Sequence, residues 1–335
     1  MDAAQTLGFE VRALGVLLLL ALGVAGPAVA GDRYALVITG ASGGAAYAQK
    51  YDKWRVSFVT TLREKFGYPA DHVTVLTEAG VSENGSGAGA LRATRADVRQ
   101  VLGNLGRRLT RDDQLLVLLI GHGTSLDDED AKFNLVGPDL NASQWAELLR
   151  PIPGALVFVN TSSASFPFLR RLAGRDRLVV TATDSVAQQF ETVFPEFFVK
   201  AFDDPAADAD RNGRVSLWEA FGYASAGVRQ WFEQRGHLPT ERALLDDTGA
   251  GIGREAQNPG SDGARARVTY LEPVLPAAMA DTALRTLLAR KSDLEIQIEA
   301  LKARKQDMRT DQYDAALETL LLELARVTQQ IRAKS

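Results

Sequence analysis

The sequence predicts an α/β fold: a three-layer sandwich with a mainly parallel sheet, followed by a C-terminal α-helical hairpin. Three observations predict it. Short, almost wholly apolar runs end in glycine or small polar residues, the pattern of parallel strands covered on both faces. Between these runs lie stretches with apolar residues at helical spacing. Beyond residue 281 the chain has no Gly and no Pro, and large apolar residues recur every seven positions.

Tyr34 to Thr39 is the first such run, and it ends in Gly40-Ala41-Ser42-Gly43-Gly44. Trp54, Phe58, Leu62 and Phe66 fall at i, i+4, i+8 and i+12, which predicts a helix from about Lys50 to Phe66. Val73 to Leu76 is a second strand, and Glu78 to Gly89 a Gly- and Ser-rich loop. Thr94-Arg95-Ala96-Asp97 resembles a capping box, so a helix begins there and carries Val98, Val101, Leu102 and Leu105. Leu115 to Ile120, Ala155 to Val159 and Leu178 to Thr181 are the third, fourth and fifth strands. Helices fit between Ser143 and Leu149, Phe166 and Leu172, and Glu191 and Phe202. Gly249 to Gly263 reads as loop, and Val268 to Pro276 as extended chain, so 251–280 is expected to be a linker.

Composition narrows the function. The 335 residues suit one large domain or two small ones. A net charge of −4 does not favour nucleic acid as a partner. The absence of cysteine excludes disulfides, Cys-based zinc or iron–sulfur sites and a cysteine nucleophile. The apolar run Leu14 to Gly26, followed by Pro27 and Ala28-Val29-Ala30, predicts a secretory signal peptide over 1–30. The run is too short for a membrane span. The Ala-, Gly- and Arg-rich composition suggests a bacterial source, hence the periplasm or the exterior, with no integral membrane span after signal removal.

In a parallel sheet the site lies beyond the carboxyl ends of the strands. His122 sits there, between Gly121 and Gly123. After the fourth strand comes Asn160-Thr161-Ser162-Ser163-Ala164-Ser165, a polar turn into a helix whose amides can serve an oxyanion. His72 and His237 read as structural or surface residues. Asp127 to Asp130 form an acidic loop beyond His122, available to hold its ring or simply solvated.

The pairing of His122-Gly123 with that turn resembles the legumain and caspase superfamily of cysteine peptidases. Val37-Ile38-Thr39-Gly40-Ala41-Ser42-Gly43 looks like the first strand and glycine turn of legumain. Tyr68 to Leu76 looks like its second strand and lead-in, and Val179 to Thr183 like its fifth. The resemblance covers about residues 33–250 and implies a caspase-like domain over 31–250. It places the nucleophile position at Ser162, where the family has Cys. It places the family's Asn of the glycine turn at Ser42, and the basic pocket residue near Ala48. Nucleophile, orienting group and specificity residue are all changed. A serine hydroxyl needs a well-placed base that a thiolate does not. The resemblance therefore implies a peptidase homologue that is catalytically impaired. The alternatives are a serine-type endopeptidase or hydrolase using Ser162 and His122, acting on a peptide or protein, and a scaffold acting through its C-terminal helices.

Residues 208–219 match a twelve-residue EF-hand calcium loop. Asp208, Asp210 and Asn212 are positions 1, 3 and 5, and Gly213 is the turn at 6. Arg214 offers its carbonyl at 7, Ser216 stands at 9, and Glu219 is the bidentate ligand at 12. The expected cofactor is one calcium ion in a static clip, since no second loop of this kind is present.

In the tail, Leu287, Leu294, Leu301 and Met308 form one stripe, joined by Leu284 and Ile298. Tyr313, Leu317, Leu320, Leu324, Val327 and Ile331 form another, out of register by two residues. At 100° per residue one straight helix would put the stripes on opposite faces. An antiparallel hairpin over 281–335, broken near Thr310-Asp311, lets them meet; a dimeric coiled coil is the alternative. The tail is a candidate surface for a protein partner. Exported protein is expected to begin at Gly31, which N-terminal sequencing checks; a retained Met1 is the contrary result.

Overall fold

The computed structural model describes residues 31–80, 91–125, 131–260, 262–272 and 282–333. The expected signal peptide, most of the Gly/Ser-rich loop and the acidic stretch 127–130 lie outside the described residues. Six strands form the central sheet: β1 (Arg33–Thr39), β2 (Val73–Leu76), β3 (Gln114–Ile120), β7 (Ala155–Asn160), β8 (Arg177–Thr181) and β9 (Leu244–Asp246). Their order is β2-β1-β3-β7-β8-β9. All neighbours are parallel except β9, which runs antiparallel to β8. Three two-residue strands, β4 (Gly123–Thr124), β5 (Lys132–Phe133) and β6 (Leu140–Asn141), form a small antiparallel sheet.

Alternation along the strands divides the core in two. Val37, Leu118, Val159 and Val180 face α1 (Ala45–Thr60), α5 (Phe194–Ala201) and α6 (Leu217–Glu233). Leu36, Val117, Phe158 and Val179 face α2 (Arg95–Arg108), α3 (Ala142–Leu149) and α4 (Phe166–Leu172). Every residue of β3 is buried, so this strand contributes to both cores at once. The result is the three-layer α/β sandwich with a mainly parallel sheet that the sequence predicts.

Several boundaries differ from the sequence reading. The first helix begins five residues earlier, at Ala45, and ends in a π-helical turn over Thr61–Lys65. The helix expected from Glu191 begins at Phe194, because Val193 is its N-cap and donates its N–H to the Glu241 carboxylate at 2.8 Å. At α2 the Thr94 hydroxyl accepts from Asp97 N, but the Asp97 carboxylate accepts from Arg92 N, two residues before the N-cap, so the capping box is not closed. The linker expected at 251–280 is, over its described part, packed into the domain. Arg254 exchanges both backbone bonds with Leu245, while Ala266 and Leu271 are buried in the core.

The tail forms the expected antiparallel hairpin of α7 (Thr282–Ala303) and α8 (Thr310–Arg332). Its break falls at 304–309, slightly before the expected place. Leu284, Leu294 and Ile298 of the first stripe are buried, as are Tyr313 and Val327 of the second. Arg290 pairs with Glu323 at 2.6 Å across the hairpin. Among the described residues no helix is long and apolar enough to cross a membrane.

Glu241 is 5% exposed, and burial pushes its carboxyl up to about 7, with Glu191 adding to the rise. A raised carboxyl favours the protonated folded state, so its stability contribution is present below the unfolded value and is lost as pH rises through about 7. Denaturant unfolding is expected to show stability falling between pH 4.5 and pH 7 by up to roughly 3 kcal/mol from this group. Glu241→Gln, which keeps an acceptor for Val193, should flatten that slope; an unchanged profile would refute the assignment.

Candidate functional site at the carboxyl ends of the strands

The strand order reverses at β1, which β2 and β3 flank, so the topological switch opens at the ends of β1 and β3. His122 stands at the end of β3, half-buried. Its Nε2 lies 3.1 Å from the Ser42 carbonyl and 3.0 Å from the Tyr51 hydroxyl. A carbonyl only accepts, so Nε2 is the donor toward the Ser42 carbonyl. Tyr47 meets the ring edge-on at 4.7 Å and Tyr51 at 5.6 Å. Burial raises the Tyr51 phenol, which therefore stays neutral.

The structure thus brings Ser42 and His122 together through the backbone. The Ser42 side chain is turned away: its hydroxyl donates to Glu78 at 2.6 Å, and the same carboxylate takes Ser42 N. Sequence reasoning placed the orienting group on the side chain and overlooked Glu78 and Tyr51. Ala48 is exposed on α1. The basic residue on this face is Lys50, paired with Glu191 at 2.7 Å and lying over the Tyr47 and Trp54 rings.

Ser162 is fully buried. Its hydroxyl lies 2.7 Å from Asn160 Oδ1 and 3.1 Å from the Ser163 carbonyl, both acceptors. Several other polar groups of the turn are similarly committed, while Asn160 Nδ2 is buried without a hydrogen-bond partner. Ser162 N donates to Asn160 Oδ1, Ala164 N to the Gln188 carbonyl, and Ser165 N to Thr183 Oγ1. Those three amides, which precede α4, are therefore bonded to protein acceptors. Ser163 Oγ both accepts from Gly123 N and donates to Gly123 O. A Cβ at Gly123 would stand 2.1 Å from the Ser163 carbonyl and 2.7 Å from Ser162 Oγ. Glycine at 123 is what lets β4 press against the turn. Among the described contacts, no hydrogen bond joins His122 to Ser162.

The two remaining histidines have structural surroundings. His72 stacks on Tyr34 at 4.1 Å and its Nδ1 bonds the Arg33 carbonyl. His237 is exposed in the turn after α6.

The 208–219 loop stands apart from these strand ends. Asp208, Asp210 and Glu219 each bring a carboxylate oxygen to within 4.8 Å of the others. Asp208 accepts from the amides of Asn212 and Gly213, so its two oxygens fix the turn, with Gly213 at φ 86°. Asn212 Oδ1 accepts from Arg214 N. Glu219 reaches back to Ala209 N and Asp210 N, and closes a capping box with Ser216 on α6. Burial and the neighbouring Glu219 charge raise the Asp210 carboxyl. The Arg214 side chain points elsewhere, stacking on Tyr270 and pairing with Glu272 at 2.7 Å. The donor set fits a calcium ion: hard oxygens about 2.4 Å from one point lie up to about 4.8 Å apart. A cavity of about 920 Å³ opens beside this loop, between α6 and the hairpin.

The sequence matches no protein-family model and no curated protein. Among solved structures the chain is similar to the Drosophila initiator caspase Dronc, with a TM-score of 0.39 and 13% identity. The match covers 81% of this chain and 97% of that one. At these values the likeness extends to no residue of the site.

Proposed function

We propose that this chain is an exported, calcium-binding homologue of the legumain/caspase-like peptidases that does not itself cleave peptide bonds. The observation that carries the second half is the state of Ser162. A nucleophilic serine needs its proton in reach of a base at about 2.6–3.2 Å. Here the hydroxyl is removed from solvent and faces Asn160. His122 keeps a ring held by Ser42 and Tyr51, which is the arrangement of a base without its nucleophile. The peptidase-homologue half rests on the sequence motifs and on where they fall, at the ends of β1, β3 and β7. The natural role left to such a domain is binding, with the helical hairpin as the surface offered to a protein partner.

A fluorophosphonate probe should leave Ser162 unlabelled, and any residual peptide hydrolysis should be the same in Ser162→Ala. Robust turnover that disappears in Ser162→Ala would replace this reading with that of a serine hydrolase using Ser162 and His122.

Calcium binding is supported by the three converging carboxylates and the Asn212 and Gly213 geometry. Asp208, Asp210, Asn212, the Arg214 carbonyl and Glu219 would hold the ion, with Ser216 at the ninth position. Bound calcium neutralises like charges and ties the loop to the start of α6. Only the folded loop presents these groups together, so calcium at 100 times its Kd stabilises by about 2.7 kcal/mol. Millimolar calcium should raise the Tm by several degrees over a chelator control. Asp210→Asn should remove most of that increment while leaving the Ser216–Glu219 cap intact. Equal melting curves with calcium and chelator would exclude the site.

A further inference from the structure

The 208–219 loop and the helical hairpin meet around one side chain, Tyr270. Ser216, the N-cap of α6, is bridged antiparallel to Tyr270, and Leu217 N donates to the Thr269 carbonyl at 2.8 Å. Asn212 Nδ2 reaches the Tyr270 hydroxyl at 3.3 Å, and the Arg214 guanidinium lies 3.9 Å from the centre of its ring. Tyr270 is thus tied to the loop through backbone, hydroxyl and ring face.

On the other side of Tyr270 stands α7. Outside the hairpin itself, the 266–268 turn is the described element on which α7 packs most closely, and Leu294 and Ile298 are buried. Glu295, between these two residues in the chain, lines the cavity of about 920 Å³ together with Asp210, Glu219 and Tyr270. The charges of Glu295 and Asp210 both act on the Tyr270 phenol and raise it, against Arg214. One Glu295 oxygen takes Lys291 Nζ, on the same helix, at 2.5 Å; among the described contacts the other takes no hydrogen bond. Arg267 also lines the cavity but lies over the Trp218 ring at 4.5 Å. The three loop carboxylates converge within 4.8 Å, so without a cation the loop presents like charge to Glu295. A doubly charged cation in the loop reverses the sign of that field.

We propose that calcium in the 208–219 loop fastens the helical hairpin to the domain, with Glu295 as the residue through which the hairpin responds to the ion. The inference rests on the calcium reading of that loop and adds its consequence: the ion positions the surface offered to a protein partner. The coupling is reciprocal. A docked hairpin, with its carboxylate beside the loop, raises the affinity for calcium as much as calcium strengthens the docking.

The chain has no cysteine, so Gln230→Cys on α6 and Gln329→Cys on α8, both exposed, take spin labels at those two positions alone. Dipolar spectroscopy on the full chain from Gly31 should give a narrow distance distribution in millimolar calcium and a broader, longer one in chelator. Glu295→Gln removes the repulsion and should keep the distribution narrow in chelator. By calorimetry the same variant should bind calcium at least about fivefold more weakly. Glu318→Gln, at an exposed carboxylate of α8 away from the cavity lining, should change neither result. Calcium that binds by calorimetry yet leaves the distances unchanged, or wild-type affinity in Glu295→Gln, would overturn the proposal and leave the calcium site standing. Absence of calcium binding to the wild-type chain would overturn both.

Discussion

Five consecutive residues, Thr161 to Ser165, are withdrawn from water at the end of β7, and much of the carboxyl edge is arranged around that fact. A buried backbone group without a partner is costly, so the turn recruits partners from every direction. Asn160 folds back onto Ser162, Thr183 bonds Ser165, and the segment after β8 lends the Gln188 carbonyl to Ala164. Thr161 bonds the Leu119 carbonyl of β3 through both its amide and its hydroxyl. Gly123 gives up a side chain so that Ser163 can close the other side. The same satisfaction that makes the turn stable occupies the groups that catalysis would need. Ala164 adopts φ 48°, a conformation alanine holds only where its surroundings impose it.

Much of this architecture was legible in the sequence. The β1, β2, β3, β7 and β8 strands announce themselves as apolar runs because parallel strands are covered on both faces. The tight turn over 208–219 is legible for a different reason, since the Asp, Asn and Gly that close it stand at fixed spacing in the chain. β9 is three residues long and β4 to β6 are two each, too short for any periodicity to show. The partners of the site were also hidden. Glu78 and Tyr51 reach Ser42 and His122 across long sequence separations, and only the fold sets them there. The linker reading of 251–280 failed over its described part because glycines there serve buried turns: Asp247 accepts from Gly263 N and Ala266 N, and Asp246 from Gly249 N and Gly251 N.

The molecule divides its chemistry among distant places. His122 and the buried turn lie at the carboxyl ends of the strands. The oxygen-rich loop stands at the start of α6, facing the hairpin across a cavity of about 920 Å³. Trp218, Tyr223 and Tyr270 line that cavity together with Arg267 and Lys302. Loop and hairpin are thus neighbours, and residues of both line one groove.

The margins of the sheet have a colloidal consequence. Its interior strands, above all β3 with the run Leu115 to Ile120, have the composition of segments that stack into fibrils when an edge is open. The two outermost strands are only four and three residues long. Thr77, just beyond β2, is bridged to Arg92, and Leu245 of β9 is bridged to Arg254 on its outer side. Short, partly covered margins deny an incoming strand a template. The chain can therefore carry an aggregation-prone central strand without presenting it at an open edge.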